Sequence, residues 1–103
     1  TPLFQTTVDT NVPIELYRAA GSTRLELIIF LNTDSVARTV SLYHDIDGST
    51  FDDSTLIMQD ASIDAEGRLL FTDKLLLNAS GSLGIKVSAG DVVNAVGYGW
   101  ADI

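Results

Sequence analysis

The stretch that decides the fold is RLELIIFLN, residues 24–32. Its side chains alternate with the period of two that is typical of a strand. One face carries Leu25, Leu27, Ile29 and Leu31, and the other carries Arg24, Glu26, Ile28, Phe30 and Asn32. Both faces are apolar in the middle, so the sequence predicts a central strand whose second face is covered by the fold or by a neighbouring subunit.

Shorter runs of the same kind lie on both sides of this strand, separated by turn clusters rich in Gly, Asn, Asp and Ser. They fall at residues 14–18, 39–44, 56–58, 69–77, 83–87 and 92–100. The turn at residues 32–35 predicts a hairpin between the long strand and the strand at 39–44. Seven to eight antiparallel strands and no helix predict an all-β protein, a β-sandwich of the jelly-roll or Ig-like kind, with a barrel as the alternative.

The length of 103 residues predicts one domain. Residues 12–103 are expected to form the β-sandwich, and residues 1–11 an N-terminal arm or an edge strand. Both prolines, Pro2 and Pro13, lie near the N-terminus, where strand pairing is least demanding.

The charge balance excludes several classes of partner. Six Lys and Arg residues against fourteen Asp and Glu give a net charge of −8, which argues against nucleic acid and against anionic membranes. The longest apolar run, Leu27 to Leu31, is far shorter than the roughly 20 residues that span a bilayer. No basic segment followed by an apolar run opens the chain, so the sequence predicts a soluble protein without a secretory signal.

Catalytic chemistry is not predicted. The chain has no cysteine and one histidine, His44, and its neighbour Asp45 is expected on the opposite face of the strand. No serine lies in a Gly-x-Ser-x-Gly elbow. We therefore expect no enzyme activity and no cofactor.

The most acidic segment, residues 45–54, contains Asp45, Asp47, Asp52 and Asp53, and clustered carboxylates of this kind are potential calcium ligands. The spacing fails the EF-hand pattern, because glycine is fourth from Asp45 and the twelfth position is Leu56. We predict no metal site and an exposed, solvated loop.

Six segments together resemble small β-sandwich proteins encoded in the structural modules of tailed bacteriophages. They are LYRAAG (16–21), LNTD (31–34), ARTVSLYH (37–44), LLLNA (75–79), LGIKV (83–87) and VGYG (96–99). The resemblance covers residues 12–100. The first turn of such proteins often holds a proline, and Ala20 stands before Gly21 here. The resemblance implies a virion part, either a capsid cement or decoration subunit or a tail- or baseplate-associated protein, without a catalytic motif.

We therefore predict a non-enzymatic cement subunit on the outer capsid surface of a virion. Its expected partners are other copies of itself, as a trimer or another closed ring, and the major capsid protein. The predicted contact residues are Leu3 and Phe4 in the N-terminal segment and Ile28 and Phe30 on the second face of the long strand. The alternative is a carbohydrate- or receptor-binding module on the tail or baseplate, although the scattered aromatic residues favour core and interface packing.

Overall fold

The computed structural model describes residues 2–46, 48 and 50–101, and these residues form nine strands and no helix. The strands are β1 (Phe4–Val8), β2 (Ile14–Arg18), β3 (Thr23–Asn32), β4 (Arg38–Asp45), β5 (Leu56–Ile63), β6 (Arg68–Phe71), β7 (Leu75–Leu77), β8 (Ser82–Val87) and β9 (Val93–Ala101). In this described part of the chain, no helix has the length and apolar character needed to cross a membrane.

The strands form two antiparallel sheets. Sheet A has the order β1-β9-β3-β6, and β7 also pairs with β3; sheet B has the order β2-β8-β4-β5. Strands β6 and β7 pair with successive parts of β3, at residues 28–31 and 23–25, so they act as one interrupted strand. Counted in this way, the fold has eight strands in two sheets of four, and its order is that of a jelly roll. The predicted β-sandwich is confirmed.

The predicted hairpin after β3 is wrong, because β3 belongs to sheet A and β4 to sheet B. The link between them is fixed by Asn32, which is fully buried. Its Nδ2 donates to the carbonyl oxygens of Val36 at 2.9 Å and Ile63 at 3.2 Å, and its Oδ1 accepts from the backbone N–H of Asp34 at 2.9 Å. These bonds hold the chain where it passes from one sheet to the other.

A bulge in β3 decides which side chains enter the core. The register with β9 shifts between Leu25 and Leu27, and an extra residue at such a site turns every later side chain to the opposite face. Leu25, Ile28 and Phe30 are consequently all fully buried. The prediction that Ile28 and Phe30 lie on an outward contact face is therefore wrong.

The core lies between the two sheets and contains mainly aliphatic side chains. Its fully buried members include Leu42, Leu83 and Ile85 from sheet B and Val93 from sheet A. β1 is an edge strand of sheet A, and Leu3 and Phe4 pack partly buried against the core. The Phe4 ring lies over Gly97, which has no side chain to obstruct it, and 5.5 Å from the Tyr17 ring of sheet B.

We expect Asn32→Asp to lower the free energy of unfolding by about 3 kcal/mol at neutral pH, since a carboxylate would face carbonyl oxygens that now accept hydrogen bonds. Urea unfolding measures this change. Asn78→Asp makes the same change of charge at an exposed turn position and should have little effect. Equal losses in the two variants would show that charge alone, and not the buried hydrogen bonds, causes the destabilisation.

Candidate protein interface

The outward side of sheet A is the candidate functional surface, and we call it the outer face. The strand registers bring its side chains into adjacent rows: Gln5, Val96, Ile29 and Leu70 in one row, and Thr7, Asn94, Leu31 and Arg68 in the next. Tyr98 and Leu27 form a third row, and Trp100, Arg24 and Leu76 a fourth. Four strands and β7 therefore contribute to one continuous surface.

The outer face concentrates the exposed apolar side chains of the molecule. Nine large hydrophobic residues are exposed in the described chain, and five of them lie here: Leu31, Leu70, Leu76, Tyr98 and Trp100. Their exposed fractions run from 40% for Leu31 and Tyr98 to 69% for Leu76. A contiguous apolar surface of this kind marks an interaction site more often than isolated exposed residues do.

The outer face is also nearly free of negative charge. Glu26 is the one acidic residue in the strands of sheet A, out of fourteen in the chain. The Nε of Arg24 lies 2.8 Å from its carboxylate, which offsets the charge. Because Arg68 adds a second cation, these strands carry a net charge of +1 in a protein whose total is −8.

A groove of about 490 Å³ runs along the outer face beside β1. Gln5 and Thr7 of β1 form one wall, while Ile29 and Leu31 of β3 line it from the other side. The Thr7 hydroxyl donates to Oδ1 of Asn94 at 2.6 Å. The groove is thus apolar on its β3 side and has uncharged hydrogen-bonding groups at its β1 edge.

The four residues predicted as contacts do not form one surface. Ile28 and Phe30 are fully buried, because the bulge turns them toward the core and turns Ile29 and Leu31 outward. The contact role of Leu3 and Phe4 stays a prediction. One signal in the sequence could have located the outer face: Gly97 and Gly99 leave room for close packing on one side of β9, so Tyr98 and Trp100 belong on the other side.

The centre of the outward side of sheet B is covered by the chain itself. Phe51, in the link between β4 and β5, packs on Gly84, and its ring lies 6.2 Å from that of Tyr43. The backbone N–H of Thr50 donates to Oδ2 of Asp45 at 2.7 Å. The prediction of an exposed, solvated loop is confirmed for Asp52, Asp53 and Ser54 and wrong for Phe51, whose ring is folded onto the sheet.

A second, more open cavity of about 560 Å³ lies beside this loop and is lined by Pro13, Tyr43, Phe51, Asp52, Asp53, Ser54 and Lys86. Burial, followed by the charges of Asp53, Asp60 and Asp52, raises the pKa of Tyr43. Hydrogen bonds from Ser54 lower the pKa of Asp52. Within the described ranges, no three potential ligand side chains gather as a metal site requires, and Asp47 lies outside those ranges.

His44 is not arranged for acid–base catalysis with Asp45. The alternation along β4 places its ring on the core side with Leu42, whereas Tyr43 and Asp45 lie on the side covered by the loop. Its Nε2 is buried and has no hydrogen-bond partner among the residues that the structure describes. Burial lowers the pKa of His44, and the charge of Asp45 opposes this shift less strongly.

Comparison with solved structures identifies chains of infectious bursal disease virus particles as similar. The T13 viral particle matches with 13% identity and a TM-score of 0.54, over 96% of this chain and 28% of that one. The structure of the Gx strain has 15% sequence identity and a TM-score of 0.56, and that of the VP2 subviral particle has 16% identity and a TM-score of 0.54. Each match covers 91% of this chain and 28% of the other. These neighbours come from virus particles, and at such identities the likeness shows the fold alone.

The chain spans only about 28% of the length of these viral proteins. No protein-family model matches it, and no curated protein matches it significantly.

The lowered pKa of His44 predicts a loss of stability in mild acid. Below its ordinary value of 6.5, the unfolded chain binds a proton that the folded chain resists, so the free energy of unfolding falls as the pH drops through this range. Urea unfolding at pH 7.5 and 5.5 should show a smaller fall for His44→Leu than for the unmodified protein. An equal fall in both proteins would assign the pH dependence to other groups.

Proposed function

We propose that this protein is a non-enzymatic structural subunit of a virion that docks against other virion proteins through the outer face of sheet A. The observation that carries the proposal is the difference between the two sheets. The centre of the outward side of sheet B is covered by Phe51 of its own loop, whereas the outer face exposes Leu31, Leu70, Tyr98 and Trp100. An apolar surface left uncovered in this way fits burial by a second protein.

The fold supports a virion role. The jelly roll recurs in capsid domains and also in lectin domains, and the solved neighbours come from virus particles. The resemblance to small proteins of tailed-phage structural modules favours a capsid cement or decoration subunit. Its partners would be the major capsid protein and further copies of itself, in a trimer or another closed ring.

The distribution of charge supports an external position on the virion. A protein with a net charge of −8 gains nothing from facing packaged DNA, since like charges repel. The strands of sheet A hold a single acidic residue, Glu26. The outer face can therefore approach another acidic protein surface without strong repulsion, and the acidic remainder faces solvent.

The cavity beside Phe51 favours one second candidate, a carbohydrate- or receptor-binding module of the tail or baseplate. The aromatic rings of Tyr43 and Phe51 border the carboxylates of Asp52 and Asp53 and the amine of Lys86. Aromatic surface combined with a few convergent polar groups suits a small polar ligand. This site and the outer face lie on opposite sheets, so separate variants can test them.

Leu70→Lys tests the outer face. Leu70 is 48% exposed, so the variant should fold with a nearly unchanged melting temperature. If the outer face docks on the shell, the new lysine is buried in the contact and should weaken binding to empty tailed-phage capsids by at least about 10-fold. Ile57→Lys is the matched control: it changes the charge equally at a side chain 41% exposed on sheet B, and should bind as the unmodified protein does. Equal binding by both variants would exclude the outer face as the docking surface.

The same preparations distinguish the second candidate. The tail module would be favoured if the unmodified protein binds a glycan but not capsids, and if Phe51→Ser abolishes the glycan binding. A melting temperature that rises with added calcium would point in the same direction.

A further inference from the structure

The two sheets end in four edges, and three of them carry features that discourage pairing with another strand. β2 contains Glu15 and Arg18 and has a register shift between Glu15 and Tyr17. β5 has two register shifts, and Asp60 within it has a positive φ of 48°. β6 has four residues and begins with Arg68.

The fourth edge, β1, has none of these features. Its sequence, FQTTV, contains no charged residue and no proline. Its register with β9 runs from Phe4 to Val8 without a shift. The side chains of Gln5, Thr6 and Thr7 are exposed. An edge strand of this kind has a free row of backbone N–H and C=O groups that can hydrogen-bond to a further strand.

We propose that β1 pairs with β1 of a second copy of this chain, antiparallel and around a two-fold axis at Thr6, so that two copies of sheet A become one continuous sheet. The inference rests on the self-association included in the proposed function and gives it the form of a two-fold dimer, because an isologous contact of this kind closes at two copies. Main-chain hydrogen bonds would supply affinity, as in other cases of strand addition.

The sequence of β1 is complementary to itself in this arrangement. With Thr6 opposite Thr6, Phe4 faces Val8 and Gln5 faces Thr7 of the other copy, so that apolar residues meet apolar ones and uncharged polar residues meet their like. Such cross-strand pairs are favourable, whereas like charges directly opposite each other are not. Each copy has a net charge of −8, so an uncharged edge is where two copies can approach most closely.

The pairing also agrees with the position of the docking surface. The groove beside β1 is lined by Gln5 and Thr7 on one side and by Ile29 and Leu31 on the other. Joining two sheets edge to edge would place two such grooves next to each other and extend the apolar outer face across both copies. A closed two-fold dimer uses the same patch of both subunits, as this arrangement requires.

Gln5→Lys tests the pairing in solution without any capsid. The two new lysines would lie on diagonal positions across the paired strands, about 7–8 Å apart, and should raise the dissociation constant of the dimer at least about 10-fold. Gln59→Lys is the control, because it makes the same substitution at an exposed residue of β5. Sedimentation over a range of concentrations measures both, and circular dichroism checks that both variants fold.

A second measurement tests the register. The chain has no cysteine, so the thiol of Thr6→Cys would be unique in each copy. Two such thiols facing each other across the axis should form a disulfide within a dimer under mild oxidation, much faster than the thiols of Gln59→Cys.

The inference is overturned if the unmodified protein stays monomeric, if Gln5→Lys and Gln59→Lys associate equally, or if the two cysteine variants cross-link at the same rate. Failure of the proposed function is distinguishable from these results. Retained capsid binding that is lost in Leu70→Lys, with no β1 pairing in solution, would remove this inference and leave the virion role intact. Pairing through β1 without capsid binding would leave this inference intact and remove the virion role.

Discussion

The bulge at Glu26 is the constraint on which the rest of the structure depends. Before it, Leu25 faces the core; after it, Ile28 and Phe30 do so, because the extra residue shifts the alternation by one. Without that shift, Leu27, Ile29 and Leu31 would enter the core, and Ile28 and Phe30 would leave it. Since β3 is central in sheet A and pairs with β9, β6 and β7, this single residue determines which side chains form the outer face.

The two sheets differ in how their outward sides are covered. Each has an outward side next to a central strand, but Gly84 in β8 leaves room for the Phe51 ring, and the link after β4 is long enough to bring that ring there. Sheet A has no comparable cover in the described chain, and Tyr98 and Trp100 of β9 stay exposed. Covering one side and leaving the other open concentrates the apolar surface where a partner protein can bury it.

The class of fold could be predicted from the sequence because period-two alternation is local and repeats in every strand. The orientation of β3 could not, because counting alternate positions across Glu26 assumes an unbroken register, and only pairing with β9 reveals the shift. The false hairpin has a similar cause: Asn32 looks like an ordinary turn residue, but its side chain bonds to Ile63, which is distant in sequence. The position of the outer face depends on the same shifted register of β3. The glycines of β9 are the one local indication in the sequence of where it lies.

The position of charge, more than its amount, decides where such a protein can associate. A net charge of −8 opposes close contact between copies wherever carboxylates line both surfaces, and the cost grows as water leaves the contact. Thirteen of the fourteen acidic residues lie outside the strands of sheet A, and Glu26 within them is next to Arg24. The electrostatic cost of assembly is therefore lowest on the sheet whose apolar surface offers the largest gain from burial, so both terms favour the same face.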